Sequence, residues 1–217
     1  MLRRRAFIDT NALAANLTDD ILDARADAFG HGLALVAPAA LAAGVRGVVV
    51  SDERDAAVAI AAGFRPGAVS LDRDGVGASA SAYGVDGVGT PVLSLVGEVI
   101  AVKRVPAGAG VSYGYTYRAP EPQTLALVGL GYADGVPRLA SNRASVQIGE
   151  HCHPLVGRIA MDQLVVAVGE APFEVGMEAV LFGGRGAPAA IDWAEWTERS
   201  ALELTAGIAS RVVREAR

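Results

Sequence analysis

The sequence predicts an α+β chain in two parts, and three observations carry that expectation. Strands and helices alternate through roughly the first ninety residues, the opening of a parallel array. Short β segments follow, punctuated by Gly and Pro at intervals of about 10–20 residues, the texture of a small barrel or sandwich. The last thirty residues turn helical.

Each element has a local reason. Residues 6–8 are an apolar run that reads as a short strand, and 11–17 places Leu13 and Leu17 four apart on one helical face. Residues 21–28 are ambiguous, a candidate strand ending at Phe29-Gly-His-Gly. Residues 33–43 read as a helix that Gly44 closes, and 47–50 as a buried β-branched strand. Residues 52–62 form a helix with an acidic first turn, ended by Gly63. The stretch 70–90 is rich in Gly, Ser and Asp and shows no period, as a connection would. Strands are then expected at 92–102, 125–130, 144–148, 164–168 and 177–182. Asp192 is placed to cap 193–199, and Ser200 with Glu203 has the form of a capping box. The change of texture divides the chain into 1–88 and 89–217.

Composition excludes several classes. With 19 Lys+Arg against 24 Asp+Glu over 217 residues, the chain lacks the basic stripe that nucleic acid requires. Its longest uncharged stretch, 32–45, is well short of the ~20 apolar residues of a membrane span, and Pro38 interrupts it. The basic opening Met1-Leu-Arg-Arg-Arg meets Asp9 before an apolar leader core develops, so no leader is expected. A single cysteine, Cys152, fits a reducing compartment, and a soluble cytoplasmic protein is expected. Of the 19 basic residues only Lys103 is a lysine, so side-chain amine chemistry must use Lys103 or be absent.

Three segments stand out chemically. Arg25-Ala-Asp-Ala-Phe-Gly-His-Gly reads as a turn whose glycines supply positive φ, or as exposed backbone N–H groups at a helix start that suit an anion. Tyr132 and Asp134 sit between Gly131 and Gly135, so the phenol is either a loop acid/base or a half-buried amphipathic side chain. Met161-Asp162-Gln163 is a polar strand start with no signal of its own. His151 and His153 would share a strand face as a zinc pair does, but no third ligand lies at a familiar spacing, and a solvent-facing hairpin tip is the plainer reading.

Together these segments resemble the signatures of alanine racemases, pyridoxal-phosphate enzymes with an N-terminal (β/α)8 barrel and a C-terminal β domain. The motifs "AFIDTNALAANL", "ADAFGHG" and "VVVSDERDAAVAIAAGF" are similar to the family's opening. From "AYGVDG…PVLSL" through "VSYG", "LGYADGVPR", "VGRIAMDQ", "VLFGG" and "AGIASRVVR" the likeness runs nearly unbroken, from about 92 to 214. The implied fold is an incomplete barrel remnant at 1–88, followed by a racemase-type β domain at 89–217.

The resemblance also implies site positions. The family's cofactor-holding lysine falls on Arg25, whose guanidinium neither forms a Schiff base nor acts as a base near neutral pH. The tyrosine that serves the other face of the substrate, donated across a head-to-tail homodimer, falls on Tyr132. Met161 and Asp162 match the stretch near the substrate carboxylate, and Ala160 stands where the family often has cysteine. Two tyrosines that contact the cofactor phosphate are replaced by Phe29 and Leu202. A complete barrel needs about 250 residues, so most of the phosphate cup has no counterpart in the first ninety. The expectation is therefore a racemase-like chain that does not hold pyridoxal phosphate covalently and is not an independent enzyme. The alternatives are retained L-/D-alanine interconversion, supplying D-alanine for cell wall, or an accessory subunit donating Tyr132 to a full-length racemase. Exposed edges of a partial barrel also suggest self-association.

Overall fold

In a computed structural model, which describes residues 3–71, 80–169 and 172–217, alternating burial sets the first strand, β1 (Arg5–Ile8), with Ala6 and Ile8 inward. Residues 1–2 of the basic opening and 72–79 of the Gly/Ser/Asp-rich connection lie outside the described residues. Asp9 accepts hydrogen bonds from the Asn11 and Ala12 N–H groups and so caps α1 (Thr10–Asn16). The ambiguous stretch resolves into a short strand, β2 (Ile21–Asp23), and a single helical turn, α2 (Arg25–Phe29). There follow α3 (Leu33–Ala42), β3 (Gly47–Val49), α4 (Glu53–Ala61) and β4 (Val69–Ser70). Helix α3 turns Leu33, Val36, Ala37 and Ala40 inward, one face at helical spacing. Strands β2, β3 and β4 pair in parallel in that order, with α3 and α4 in the connections. This is the incomplete (β/α) array.

The β part is organised by its longest strand, β5 (Leu93–Val105). Its first half lies between β1 and β12 (Glu178–Phe182), antiparallel to both. Its second half leaves them and pairs with β8 (Gln123–Val128), which carries β11 (Leu164–Gly169) on its far side. Gly97 stands at the change, where a Cβ would press on Leu130 and Val128. A small pair, β6 (Gly110–Val111) and β7 (Tyr117–Arg118), and the hairpin of β9 (Ser145–Ile148) and β10 (His151–Pro154) complete the strands before the helices. Helices α5 (Ala190–Thr197) and α6 (Ala201–Ala206) cover the core, where Trp193 packs on Phe182 at 5.9 Å. Among the described residues no helix is long and apolar enough to cross a membrane.

Four sequence expectations need correction. Strand β1 does not join the parallel array; it lies in the large sheet between β5 and a final strand, β13 (Val213–Ala216), with β13 parallel to it. A cut between residues 88 and 89 would therefore strip β13 of its partner. The final thirty residues are not helical throughout, because β13 takes their end. Asp192 does not cap α5 from outside; it lies within the first turn, and its carboxylate accepts the Ala189 N–H at 2.7 Å. Ser200 does cap α6 through the Glu203 N–H, while the Glu203 carboxylate turns to Arg199 instead of closing the box. His151 and Cys152 are exposed at the β9–β10 hairpin, and His153 meets Phe173 edge-on at 5.2 Å.

Turn α2 is wound left-handed. Ala26, Asp27, Ala28 and Phe29 have φ of 52°, 56°, 54° and 49°, a conformation costing about 1–2 kcal/mol for each residue bearing a Cβ. Just beyond it His31 is fully buried against Tyr83, ring centroids 4.5 Å apart. Its Nδ1 lies 2.9 Å from the Ala28 carbonyl oxygen and so carries the proton, while Nε2 has no hydrogen-bond partner. Burial drives its pKa down to about 4, against the pull of the two carbonyls, and Arg214 adds to the drop. A histidine depressed below its unfolded value of about 6.5 stabilises the fold above that pH and loses the contribution as pH falls toward 4. Between pH 7 and 4.5 the protein should lose about 2–3 kcal/mol more stability than a His31→Phe variant. Urea unfolding at both pH values checks this, and equal losses in the two proteins would contradict it.

Candidate functional site

Asp134 organises the loop that presents Tyr132. Its side chain is completely buried, and a buried carboxylate must be paired. One oxygen accepts the Gly131 N–H at 2.8 Å, which closes the short 3-10 turn Tyr132–Asp134. The other meets the Arg211 Nε at 2.6 Å and the Arg4 Nε at 3.1 Å. Arg211 also reaches Asp162 at 2.5 Å, and Arg4 lies 3.6 Å from the same carboxylate. The hydrogen bonds to Asp134 and Asp162 push the Arg211 pKa further above its ordinary value, so it stays a cation. The Tyr132 and Ala133 N–H groups donate to the Ala160 and Met161 carbonyls, both at 3.0 Å. Gly131 permits that approach, since a Cβ there would overlap both carbonyl oxygens. Tyr132 and the Met161–Asp162 stretch thus form one continuous surface, with Tyr132 39% and Met161 53% exposed.

A second loop docks behind it. The Ser112 hydroxyl donates to the Arg158 carbonyl at 2.6 Å and the Tyr113 hydroxyl to the Ile159 carbonyl at 2.8 Å. These bonds join the "VSYG" and "VGRIAMDQ" motifs, 46 residues apart in the chain. Beside Tyr132 opens a cavity of about 390 Å³, lined by Tyr132, Val136, Arg138, Arg199, Glu203 and Leu204 among others. Arg138 lies over the Tyr132 ring at 5.7 Å, and Arg199 is paired with Glu203 at 3.0 Å.

Arg25 lies elsewhere, at the carboxyl end of β2. Both of its prongs return to Asp23, Nε at 2.8 Å and Nη2 at 2.5 Å, a fork-on-fork pair on a buried carboxylate. That hydrogen bond raises the guanidinium pKa still further. The Ala26 N–H donates to the Ser51 hydroxyl at 2.6 Å, and the Tyr83 hydroxyl donates to the Asp23 carbonyl at 2.8 Å. The anion-binding reading of this turn fails here. The Gly30, His31 and Gly32 N–H groups all donate to carbonyls of the turn itself, and the Leu33 N–H donates to the Asp27 carboxylate.

The structure brings Tyr132, Met161 and Asp162 together, and separately places α2, with Arg25 and Phe29, against α6, with Leu202. Phe29 is edge-on to Tyr83 at 5.6 Å, and Leu202 packs on the main core. Helix α6 is the wall between the two places: Thr205 faces Gly30, while Glu203 and Leu204 line the cavity at Tyr132. Lys103 is exposed on the second half of β5, opposite Leu125. Sequence reading missed Arg4 and Arg211, which hold Asp134 across most of the chain, and also Asp23, the partner of Arg25. Of these only Arg211 lies inside a quoted motif, AGIASRVVR, and no local spacing links Arg4 or Arg211 to Asp134.

Comparison with known proteins agrees with this architecture. Residues 92–216 match the family described as alanine racemase, C-terminal domain. The alanine racemase of Streptomyces coelicolor is 49% identical over 126 residues, which make up 57% of this chain and 32% of that enzyme. The matched segment thus spans about a third of the length of that curated relative. The solved alanine racemase of Streptomyces lavendulae superposes with a TM-score of 0.87 at 24% identity, over 100% of this chain and 97% of that one, a likeness of fold. That of Streptomyces coelicolor A3(2) gives 0.82 at 26% identity, over 99% and 98%. The chain belongs to the alanine racemase family, through its C-terminal domain.

Proposed function

We propose that this chain keeps the tyrosine-presenting half of a racemase site and does not racemise alanine with pyridoxal phosphate on its own. The observation that carries this reading is the position of Arg25. The family's cofactor is held through a lysine amine; Arg25, in that position, is bound by both prongs to Asp23, and the only lysine, Lys103, is an exposed residue of β5. The residues present do not fit a covalently held pyridoxal phosphate. Phe29 and Leu202, at the two phosphate-contact positions, offer no hydroxyl. Tyr132 takes the place of the second base, and Met161 with Asp162 that of the stretch near the substrate carboxylate.

Incubation with pyridoxal phosphate, borohydride reduction and mass spectrometry should show no stoichiometric pyridoxyl group on this chain. Arg25→Lys alone should give no alanine racemisation above background, because the rest of the phosphate cup is still missing. A stoichiometric adduct on the native chain, or turnover by Arg25→Lys, would overturn the reading.

The exposure of Tyr132, on a loop bonded to the Ala160 and Met161 carbonyls, favours one second reading, in which this chain replaces one subunit of a full-length racemase dimer. The donated phenol then completes the partner's centre, and the mixed dimer holds one working site. Co-expression with a full-length racemase whose equivalent tyrosine is phenylalanine should restore activity, and Tyr132→Phe in this chain should abolish the rescue. No co-purification, or rescue that ignores Tyr132, would end this reading.

A further inference from the structure

We infer that residues 205–214 act as a strut that sets the Tyr132 loop and the left-handed turn at Arg25 in one shared geometry, with Arg211 positioning the first and Arg214 the second. The inference rests on the reading above only for the role given to Tyr132. The two arginines stand three residues apart and reach to different places. Arg211 holds Asp134 of the tyrosine loop and Asp162 of the stretch packed against it. Arg214 donates from Nε to the Gly30 carbonyl at 3.0 Å, tying the end of α2. Its other nitrogens donate to the Ala209, Val212 and Ile208 carbonyls at 2.7–2.8 Å. All three nitrogens of the guanidinium thus donate to backbone, and three of the four bonds stiffen the strut itself.

The backbone of the strut makes the same two attachments. Gly30, at φ 80°, sits so close to the Thr205 carbonyl that any Cβ would overlap it. Gly135, at φ 97°, sits nearly as close to the Gly207 carbonyl, which a Cβ there would also overlap. The Ala209 N–H donates to the Asp134 carbonyl at 3.1 Å, and the Val213 N–H donates to the Arg4 carbonyl at 3.0 Å. A short run of backbone is therefore wedged between two glycines that belong to the two loops. Packed interiors respond to such wedging as units, because neither loop can shift without displacing the run between them. The left-handed residues, unfavourable in isolation, persist only while the strut holds Gly30.

Hydrogen exchange of the full chain, read by mass spectrometry, tests the coupling. Arg211→Gln should speed exchange about tenfold or more in peptides of the Tyr132 loop and also of residues 26–33. Arg214→Met should do the same at both places. Arg211→Lys, which keeps the charge but loses the fork, should fall between Arg211→Gln and the native chain. The β9–β10 hairpin, with no bond to the strut, should exchange as in the native chain. If either arginine variant unfolds globally, Arg214→Lys replaces it and the two loops are compared again. Acceleration confined to the loop nearest each substitution, or in neither, would overturn the inference. Exchange is measured on this chain alone, so its outcome does not depend on whether Tyr132 serves a partner's site.

Discussion

A buried carboxylate must find cations, and Asp134 finds them in Arg4 and Arg211, near opposite ends of the sequence. That requirement shapes much of what surrounds it. Arg4 precedes β1, and Arg211 precedes β13, so pairing both with one carboxylate draws the two strands side by side. The β part of the fold thereby takes a strand from the first few residues between β5 and β13. The same carboxylate also accepts the Gly131 N–H and so holds the turn on which Tyr132 stands. One charge thus ties sheet order to the geometry of the candidate site.

A second carboxylate, Asp23, does comparable work for the other place. Its pairing with both prongs of Arg25 keeps a guanidinium folded back on its own strand. The pair is partly sheltered, with the Arg25 side chain 23% exposed and Asp23 not at all. A lysine in this position would lose the fork and gain a free amine. The difference between the two side chains is therefore both structural and chemical. Among the described residues, the groups around Tyr132 and those around Arg25 meet through α6 and the segment that follows it.

Much of the β part was legible from local pattern. The strands expected at 92–102, 144–148, 164–168 and 177–182 lie within three residues of β5, β9, β11 and β12, because alternation and flanking Gly or Pro are local signals. The sheet to which β1 belongs was not legible, since four residues of alternation say nothing about their neighbours. Nor was the left-handed winding of Ala26 to Phe29, because no glycine marks it and the contacts that impose it come from α6 and Arg214. Tyr132, Met161 and Asp162 could be singled out from motifs. Their cations could not, because Asp134 and Arg211 are 77 residues apart and no spacing rule spans that distance. His31 looked like part of an exposed turn, yet its ring is core, packed on a tyrosine from the connection after β4.

Asp134 is the keystone that joins the ends of the chain to the tyrosine loop. A thermodynamic cycle on the full-length protein addresses it most directly, with Asp134→Asn, Arg4→Met and the double variant compared by urea unfolding. Removing the charge of Asp134, whose partners Arg4 and Arg211 are partly exposed, should cost about 1.5–3 kcal/mol, and the loss caused by Arg4→Met should shrink markedly once Asp134 is already Asn. A loss below about 1 kcal/mol for Asp134→Asn, with fully additive effects of the two substitutions, would contradict the account.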